Sequence, residues 1–564
     1  MRRFAPAVAL VATFAACSSA PKADLVLVGG KVVTVDSQHP AAQAVAVRGD
    51  RIVAVGTDAE VRAMAGRDTR VVDLQGRLLI PGFIEGHGHY TYLGDAKLML
   101  DLTTATSWDG IVTMVADAAK KAKPGEWIVG WGWHQDKWTS TPTPNVEGIP
   151  LHASLDAVSG DHPVLLSHAS GHAIFVNAAA LAKAGITRTT KDPAGGQIIH
   201  DAKGEPTGFL RETAQDAVDR AKAKDEQRSP AERDARVRQL IQLAGEEARA
   251  NGVTSFQDAG TDFATIDVMA KMADEGALPV RLWVMVREPN ALMDSLLPKY
   301  RMVGRGNGFL TVRAIKRQID GALGTRGALL EKPYDDLPSS SGLTLDTPAE
   351  IEATAQLAIK HGFQLGTHAI GDRASREVLD IYERTFKAHP EARDLRWRNE
   401  HASMLDSVQV ARMKALGIIA AEQGIFIPSD GDWIPKRVGP VRSRIAYPWR
   451  ALWDAGVIVG NGTDVPVERI DPIASYYGSV ARRTPSGQVF NPEQKVTREE
   501  ALRAYTLNNA YAAFEEKEKG SITVGKLADL VVLTKDLLTM PEEEIPSTRV
   551  AMTVLGGKVV YEKK

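Results

Sequence analysis

Leu78-Leu79-Ile80-Pro81-Gly82-Phe83-Ile84-Glu85-Gly86-His87-Gly88-His89 is an apolar run that ends in two histidines one residue apart. In an extended strand successive side chains point to opposite faces, so His87 and His89 project from the same side. Two imidazoles side by side, with glycines clearing space around them, suit one divalent metal ion. A lone His-x-His is more often a pair of surface or packing histidines, so its meaning depends on what the rest of the chain places beside it.

Working outward, the chain alternates helical and β-rich stretches. Ser229-Pro230-Ala231-Glu232 and Thr347-Pro348-Ala349-Glu350 are capping boxes with proline at the first helical position, and Thr497-Arg498-Glu499-Glu500 is a third box. Gly252 and Gly362 suit the left-handed position that ends the first two helices. Counting the β-rich segments gives 78–84, 253–257, 280–286, 310–319, 363–368, 395–401, 418–423 and 457–464. Eight strands, mostly separated by helices, predict an α/β fold of the closed (β/α)8 TIM-barrel type. The flanks differ in texture: 24–36, 44–56 and 71–74 at one end, and 528–533 and 550–561 at the other, are short β runs broken by Gly and Asp. Neither end has enough strands to bury a face alone, so the expectation is one small β-sandwich of residues 22–80 and 520–564. It would enclose a barrel at 81–519 with a large insert at about 100–229.

A barrel of this kind carries its chemistry at the C-terminal ends of its strands. His87 and His89 follow the first strand, Lys316 sits late in the fourth, His368 ends the fifth, His401 ends the sixth and Asp464 ends the eighth. Six candidate metal ligands therefore converge on one rim.

Composition narrows the classes. The chain has 564 residues and 44% hydrophobic content, and 68 Lys and Arg against 70 Asp and Glu. That near balance gives no footprint of a nucleic-acid binder. The basic start Met1-Arg2-Arg3 and the apolar stretch 4–16 predict an export signal, residues 1–17. Cys17, the single cysteine, excludes an intrachain disulfide or a multi-cysteine metal site. The stretch Phe14-Ala15-Ala16-Cys17 resembles a bacterial lipoprotein signal, with ordinary secretory cleavage as the alternative. Either predicts the periplasmic side, with lipid on Cys17 as the expected membrane link.

The motifs 81–89, Gly195-Gly196-Gln197-Ile198, Pro206-Thr-Gly-Phe-Leu-Arg-Glu212, 316–326, His368-Ala-Ile-Gly-Asp-Arg373, Glu400-His401, Gly462-Thr-Asp464 and 520–529 together resemble the amidohydrolase superfamily. The resemblance is to its amidohydrolase-3 branch, which includes YtcJ-like proteins and N-substituted formamide deformylases, and it covers nearly everything from residue 24 onward. It implies that His87 and His89 hold one zinc-like ion, that His368 and His401 hold a second, and that Asp464 touches the first. Lys316 occupies the place of a carboxylated lysine that bridges two metals. An unmodified ammonium cannot coordinate a cation, so a mononuclear site with Lys316 unmodified stays open. Bound Zn2+ lowers the pKa of its water to roughly 7, and Asp464 is the residue placed to accept the water's proton. The implied reaction is hydrolysis of a C–N bond (amide, N-acyl or N-formyl) in a small substrate. Lactone or ester, cyclic-ureide and phosphotriester hydrolysis are the alternatives, with a non-catalytic metal- or ligand-binding protein behind them.

For the substrate, about 160 residues separate the first two strands, far beyond an ordinary βα loop. This insert holds Trp127, Trp131, Trp133 and Trp138, whose rings either wall an apolar or aromatic pocket, with Trp133 the candidate, or anchor the insert. His172 is the candidate to orient a substrate polar group, while His168 reads as structural. Arg326 is a candidate partner for a substrate carboxylate, with a loop salt bridge as the alternative. Besides a small-molecule substrate, the remaining expected partner is another copy of the chain in a homo-oligomer.

Overall fold

The computed structural model describes residues 22–563; the expected export signal and Cys17 lie outside the described residues. The run predicted as one strand over 78–84 divides at Gly82. Leu78–Pro81 pairs antiparallel with Leu530–Leu533, and Gly82 N–H donates to Asp529 O at 2.8 Å. The barrel then begins afresh at Phe83. Pro81 has no N–H to carry a ladder onward, so the chain changes sheets where the sequence offers Pro-Gly.

The barrel strands are β1 (Phe83–Gly88), β2 (Val253–Thr261), β3 (Arg281–Val286), β4 (Leu310–Gln318), β5 (Gln364–Ala369), β6 (Arg398–His401), β7 (Ile419–Glu422) and β8 (Val459–Asn461). Each pairs in parallel with the next. The seam between β8 and β1 is closed by other means. Asn509 Nδ2 donates to Ile84 O and to Asn461 O, each at 2.7 Å, and Asp464 N–H donates to His87 O at 2.8 Å. Gly86 is required here for close approach: a Cβ on it would stand 2.5 Å from Asn461 O and 2.6 Å from the Asn509 amide.

All three anticipated capping boxes form, on the helices Pro230–Ala250, Pro348–His361 and Arg498–Ala504. Buried residues of the helices Pro230–Ala250, Phe263–Asp274, Pro348–His361 and Asp372–Ala388 pack into the core around the strands. The insert folds on itself as a six-stranded sheet with Leu100–Asp101 at one edge and Gly196–His200 at the other, Pro206–Glu212 lying next to the latter, with its own apolar clusters.

The termini build the remaining β layer. A four-stranded sheet comes from the N-terminal part, in the order Arg51–Gly56, Ala44–Arg48, Leu25–Val28, Arg70–Asp73. A six-stranded sheet mixes both ends, because Leu78–Pro81 sits between Lys31–Val33 and Leu530–Leu533. Leu25, Leu27, Val45 and Val47 of the first sheet share an apolar cluster with Leu79, Leu530, Val532 and Val554 of the second. Among the described residues no helix is long and apolar enough to cross a membrane.

One buried ion pair ties this layer to the barrel. Arg281 on β3 is 2% exposed and bonds Asp529 through Nε at 2.8 Å and Nη2 at 3.2 Å. Removing one partner of such a pair leaves a buried charge uncompensated. Asp529→Ala is therefore expected to destabilise the chain by about 3–5 kcal/mol in urea unfolding; a loss under about 1 kcal/mol would mean that Arg281 keeps a solvated alternative.

Candidate metal centre

The strand ends bring the six predicted ligands together. His87 Nε2 lies 3.6 Å from Asp464 Oδ1 and 3.5 Å from Lys316 Nζ, and His89 Nε2 lies 3.2 Å from the same Asp464 oxygen. The His401 ring stands 4.5 Å from that of His87 and 4.4 Å from that of His368, centre to centre. One potential ligand atom from each of His87, His89 and Asp464 falls within 4.8 Å of the others.

The donor set fits a divalent cation. His87 Nδ1 lies 2.5 Å from Glu400 Oε2, and His401 Nδ1 lies 2.7 Å from Gln423 Oε1. Gln423 spends its amide N–H on Ala421 O, so its oxygen faces His401 and takes the Nδ1 proton. In both neutral rings the Nε2 lone pair is then free, as metal-binding imidazoles require. Among the described residues His368 Nε2 and Asp464 Oδ1 are buried and make no hydrogen bond, with Asp320 at 3.5 Å and His89 at 3.2 Å as their ionic neighbours, a costly state that a bound cation would relieve. Nitrogen and carboxylate donors without thiolate suit zinc and its first-row neighbours. Left-handed backbone at His401 (φ 72°) and Asp464 (φ 57°) places strain on two of these residues.

Charge is arranged to keep the donors unprotonated. Burial, with Lys316 beside it, lowers His87 to about 4; burial also holds His368 and His401 well below the usual imidazole range. Burial pushes Asp464 up, but the His89 contact and the neighbouring His87 and His401 rings outweigh it and hold the carboxyl below its ordinary value. Glu400 is likewise held low, because the Arg398 guanidinium and His87 outweigh its burial. Burial brings Lys316 down to about 8, which makes its amine easier to neutralise.

Several orienting residues were not among the sequence candidates. Glu400 precedes His401 on β6, and Gln423 follows β7 directly. Asp320, just past β4, lies 3.5 Å from His368 Nε2 and is fixed by the backbone N–H groups of Leu329, Ile370 and Gly371 at 2.8, 3.1 and 2.9 Å. Glu400 and Asp320 both lie in the motif stretches quoted above, where they could have been singled out.

A cleft of about 580 Å³ including its open mouth reaches His368, His401 and Asp464. His172 lines it, its Nδ1 held by Glu212 Oε2 at 2.8 Å. Burial lowers the His172 pKa, but Glu212 outweighs it and the net shift is upward. Gly321 is required opposite Glu212, since a Cβ there would stand 2.0 Å from its Oε1. Two other candidates lie elsewhere. Trp133 is not a cleft wall: it is fully buried, donates to Leu166 O at 2.9 Å and stacks on Trp138 in the insert core. Arg326 is engaged by Asp336 at 3.0 Å and Glu147 at 3.9 Å, a loop salt bridge away from the cleft lining. The aromatic cleft wall is instead Phe426 and Trp433.

The model of the amidohydrolase family matches residues 70–561. N-substituted formamide deformylase of Arthrobacter pascens is 31% identical over 96% of this chain and 98% of its own length. Protein LONG AFTER FAR-RED 3 of Arabidopsis thaliana is 31% identical over 96% and 92%. The crystal structure of an uncharacterized metal-dependent hydrolase of Pyrococcus furiosus superposes with a TM-score of 0.70 at 27% identity, covering 91% of this chain and all of that one.

Glu400→Gln keeps the side-chain shape but removes the charge that orients His87. Its metal affinity, measured by chelator competition, is expected to fall about 10–100-fold; an unchanged affinity with intact circular dichroism would show that Glu400 does not set the ligand.

Proposed function

The chain belongs to the amidohydrolase family, and from that premise we propose that it is a metal-dependent hydrolase cleaving an amide, N-acyl or N-formyl C–N bond of a small, partly aromatic substrate. The observation that carries this reading is the convergence of His87, His89, His368, His401 and Asp464 beside a single cleft with unpartnered donor atoms. His87, His89 and Asp464 would hold one divalent ion, with His368 and His401 holding a second if Lys316 is carboxylated to bridge them. A divalent ion bound there, zinc by preference, supplies Lewis acidity and brings the pKa of water to roughly 7.

The protein's own groups do the rest. Asp464, held ionised beside the imidazoles, accepts the proton of the attacking water and returns it to the departing nitrogen. His172, fixed through Nδ1 by Glu212, keeps its other ring nitrogen for a polar group of the substrate. Phe426 and Trp433 give the organic part an apolar surface and exclude water from the scissile bond.

A panel of N-formyl and N-acyl arylalkylamines, a lactone and a phosphotriester, offered to the zinc-loaded protein, tests the reading. Amine release is expected, abolished by a chelator and restored by zinc, and Asp464→Asn should lower kcat by about 10²–10⁴. Lactone or phosphotriester turnover with no amide cleavage would replace it. Metal content after loading with bicarbonate present separates the two forms: near two ions per chain supports bridging by Lys316, near one the mononuclear site.

A further inference from the structure

We propose that the cleft selects substrates carrying a protonated amine or amidine beyond the scissile bond, and that Asp430 together with Glu468 makes the selection. This rests on the hydrolase reading above and adds the substrate's charge to it. Asp430 and Glu468 line the same cleft as His368, His401 and Asp464, and no Lys or Arg is among the lining residues. His368 Nε2 and Asp464 Oδ1, on residues 3% and 6% exposed, make no hydrogen bond among the described residues, and both residues line this cleft at its inner end.

The two carboxylates are built into position. Phe426 lies nearly parallel to the His401 ring, 6.4 Å away at 12°, and opens the helix Phe426–Asp430. About one turn of helix therefore leads from the metal cluster to Asp430. Asp430 Oδ2 accepts the Tyr447 hydroxyl at 2.6 Å, and Tyr447 is in turn held by its backbone N–H to Ser403 O at 2.7 Å. Glu468 follows β8 four residues after Asp464, and its Oε1 accepts the Ser429 hydroxyl at 2.5 Å. Lys137, half-exposed, reaches that same oxygen at 3.5 Å. Among the described residues the hydrogen bonds to these groups go to Asp430 Oδ2 and Glu468 Oε1, which leaves Asp430 Oδ1 and Glu468 Oε2 without one. Burial, despite the Tyr447 bond, raises Asp430 to about 7; Glu468 adds to the rise, and Lys137 offsets part of it.

The rest of the wall agrees with a cation. Phe426 and Trp433 present ring faces that attract cationic groups, although Arg437 already lies 5.6 Å from the Trp433 ring centre. A carboxylate-bearing substrate would meet the Glu468 carboxylate beside the Asp430 carboxyl in a poorly solvated cleft, where like charges interact strongly. An ammonium or amidinium head would instead make charge-assisted bonds to the two free oxygens.

Three N-formyl benzylamines test this with the zinc-loaded enzyme, their para substituents being aminomethyl, ethyl and carboxymethyl. The expected ratio of kcat/KM for aminomethyl over ethyl is roughly tenfold or more, with carboxymethyl slowest. Asp430→Asn and Glu468→Gln are each expected to bring the ratio toward one, and a ratio taken within one preparation is insensitive to partial misfolding. A wild-type ratio of one or below, or a ratio unmoved by both variants, overturns the proposal. If none of the three is hydrolysed, the N-acyl hydrolase reading fails and binding decides the cation site on its own. Calorimetry should then show benzamidinium binding tighter than benzamide to the wild-type protein, with the gap closing in Asp430→Asn; equal binding of the two overturns the proposal.

Discussion

The catalytic end of this barrel depends on a buried ion pair in its interior. Arg398 and Glu400, two residues apart on β6, both point inward and are almost wholly buried, with Arg398 Nε 2.6 Å from Glu400 Oε1. Arg398 also reaches β1 through Gly86 O and β2 through Gln257, so it fixes three strands relative to one another. Glu400 reaches His87 on the first of them. Isolated charges would be expensive here. The pair is tolerable because the two charges cancel, the Arg398 Nη atoms donate to Gln257, Gly86 O and Glu400, and Glu400 Oε2 also meets His87. Strand order, strand register and ligand orientation are thus parts of one network.

That network explains why the rim could be read from the chain while its support could not. Strand alternation and three capping boxes mark where each βα unit starts, and a barrel places the ends of its parallel strands on one rim. His368, His401 and Asp464 were therefore legible as neighbours of His87 although up to 377 positions separate them in sequence. Asp320, Glu400 and Gln423 act on other side chains across the barrel. Their partners depend on which residues face each other across neighbouring strands, which a pattern of apolar runs does not encode. The break at Gly82 was missed for a related reason. Leu78–Pro81 and Phe83–Gly88 are both buried throughout, so hydrophobicity alone shows one strand where hydrogen bonding makes two.

The insert shows where composition misleads. Four tryptophans close together look like a binding wall, but a 160-residue excursion of about this size must first bury a core of its own. Trp133 and Trp138 meet that need by stacking on each other. Trp127 belongs to a second small cluster, and its indole N–H is taken by Asp225 at 2.9 Å. The cleft draws its aromatic surface from the barrel's own loop after β7, at Phe426 and Trp433. Arg326 follows the same logic: Asp336 of its own loop and Glu147 of the insert already engage its guanidinium.

Two kinds of charge then share one cleft. At the strand ends, imidazoles held below their usual range by burial and a carboxyl held below its own against burial, with the His89 contact as the leading cause, form a set that attracts a dication. Farther out, Asp430 and Glu468 sit where the described lining holds no Lys or Arg, and Lys137, which reaches Glu468 from outside that lining, offsets only part of their negative field. A dication at the rim would neutralise Asp464 first, because it lies among the ligands, and would leave the outer pair to act on the rest of the substrate. The inner set thus bears on the bond that breaks, and the outer pair bears on which molecule brings that bond into place.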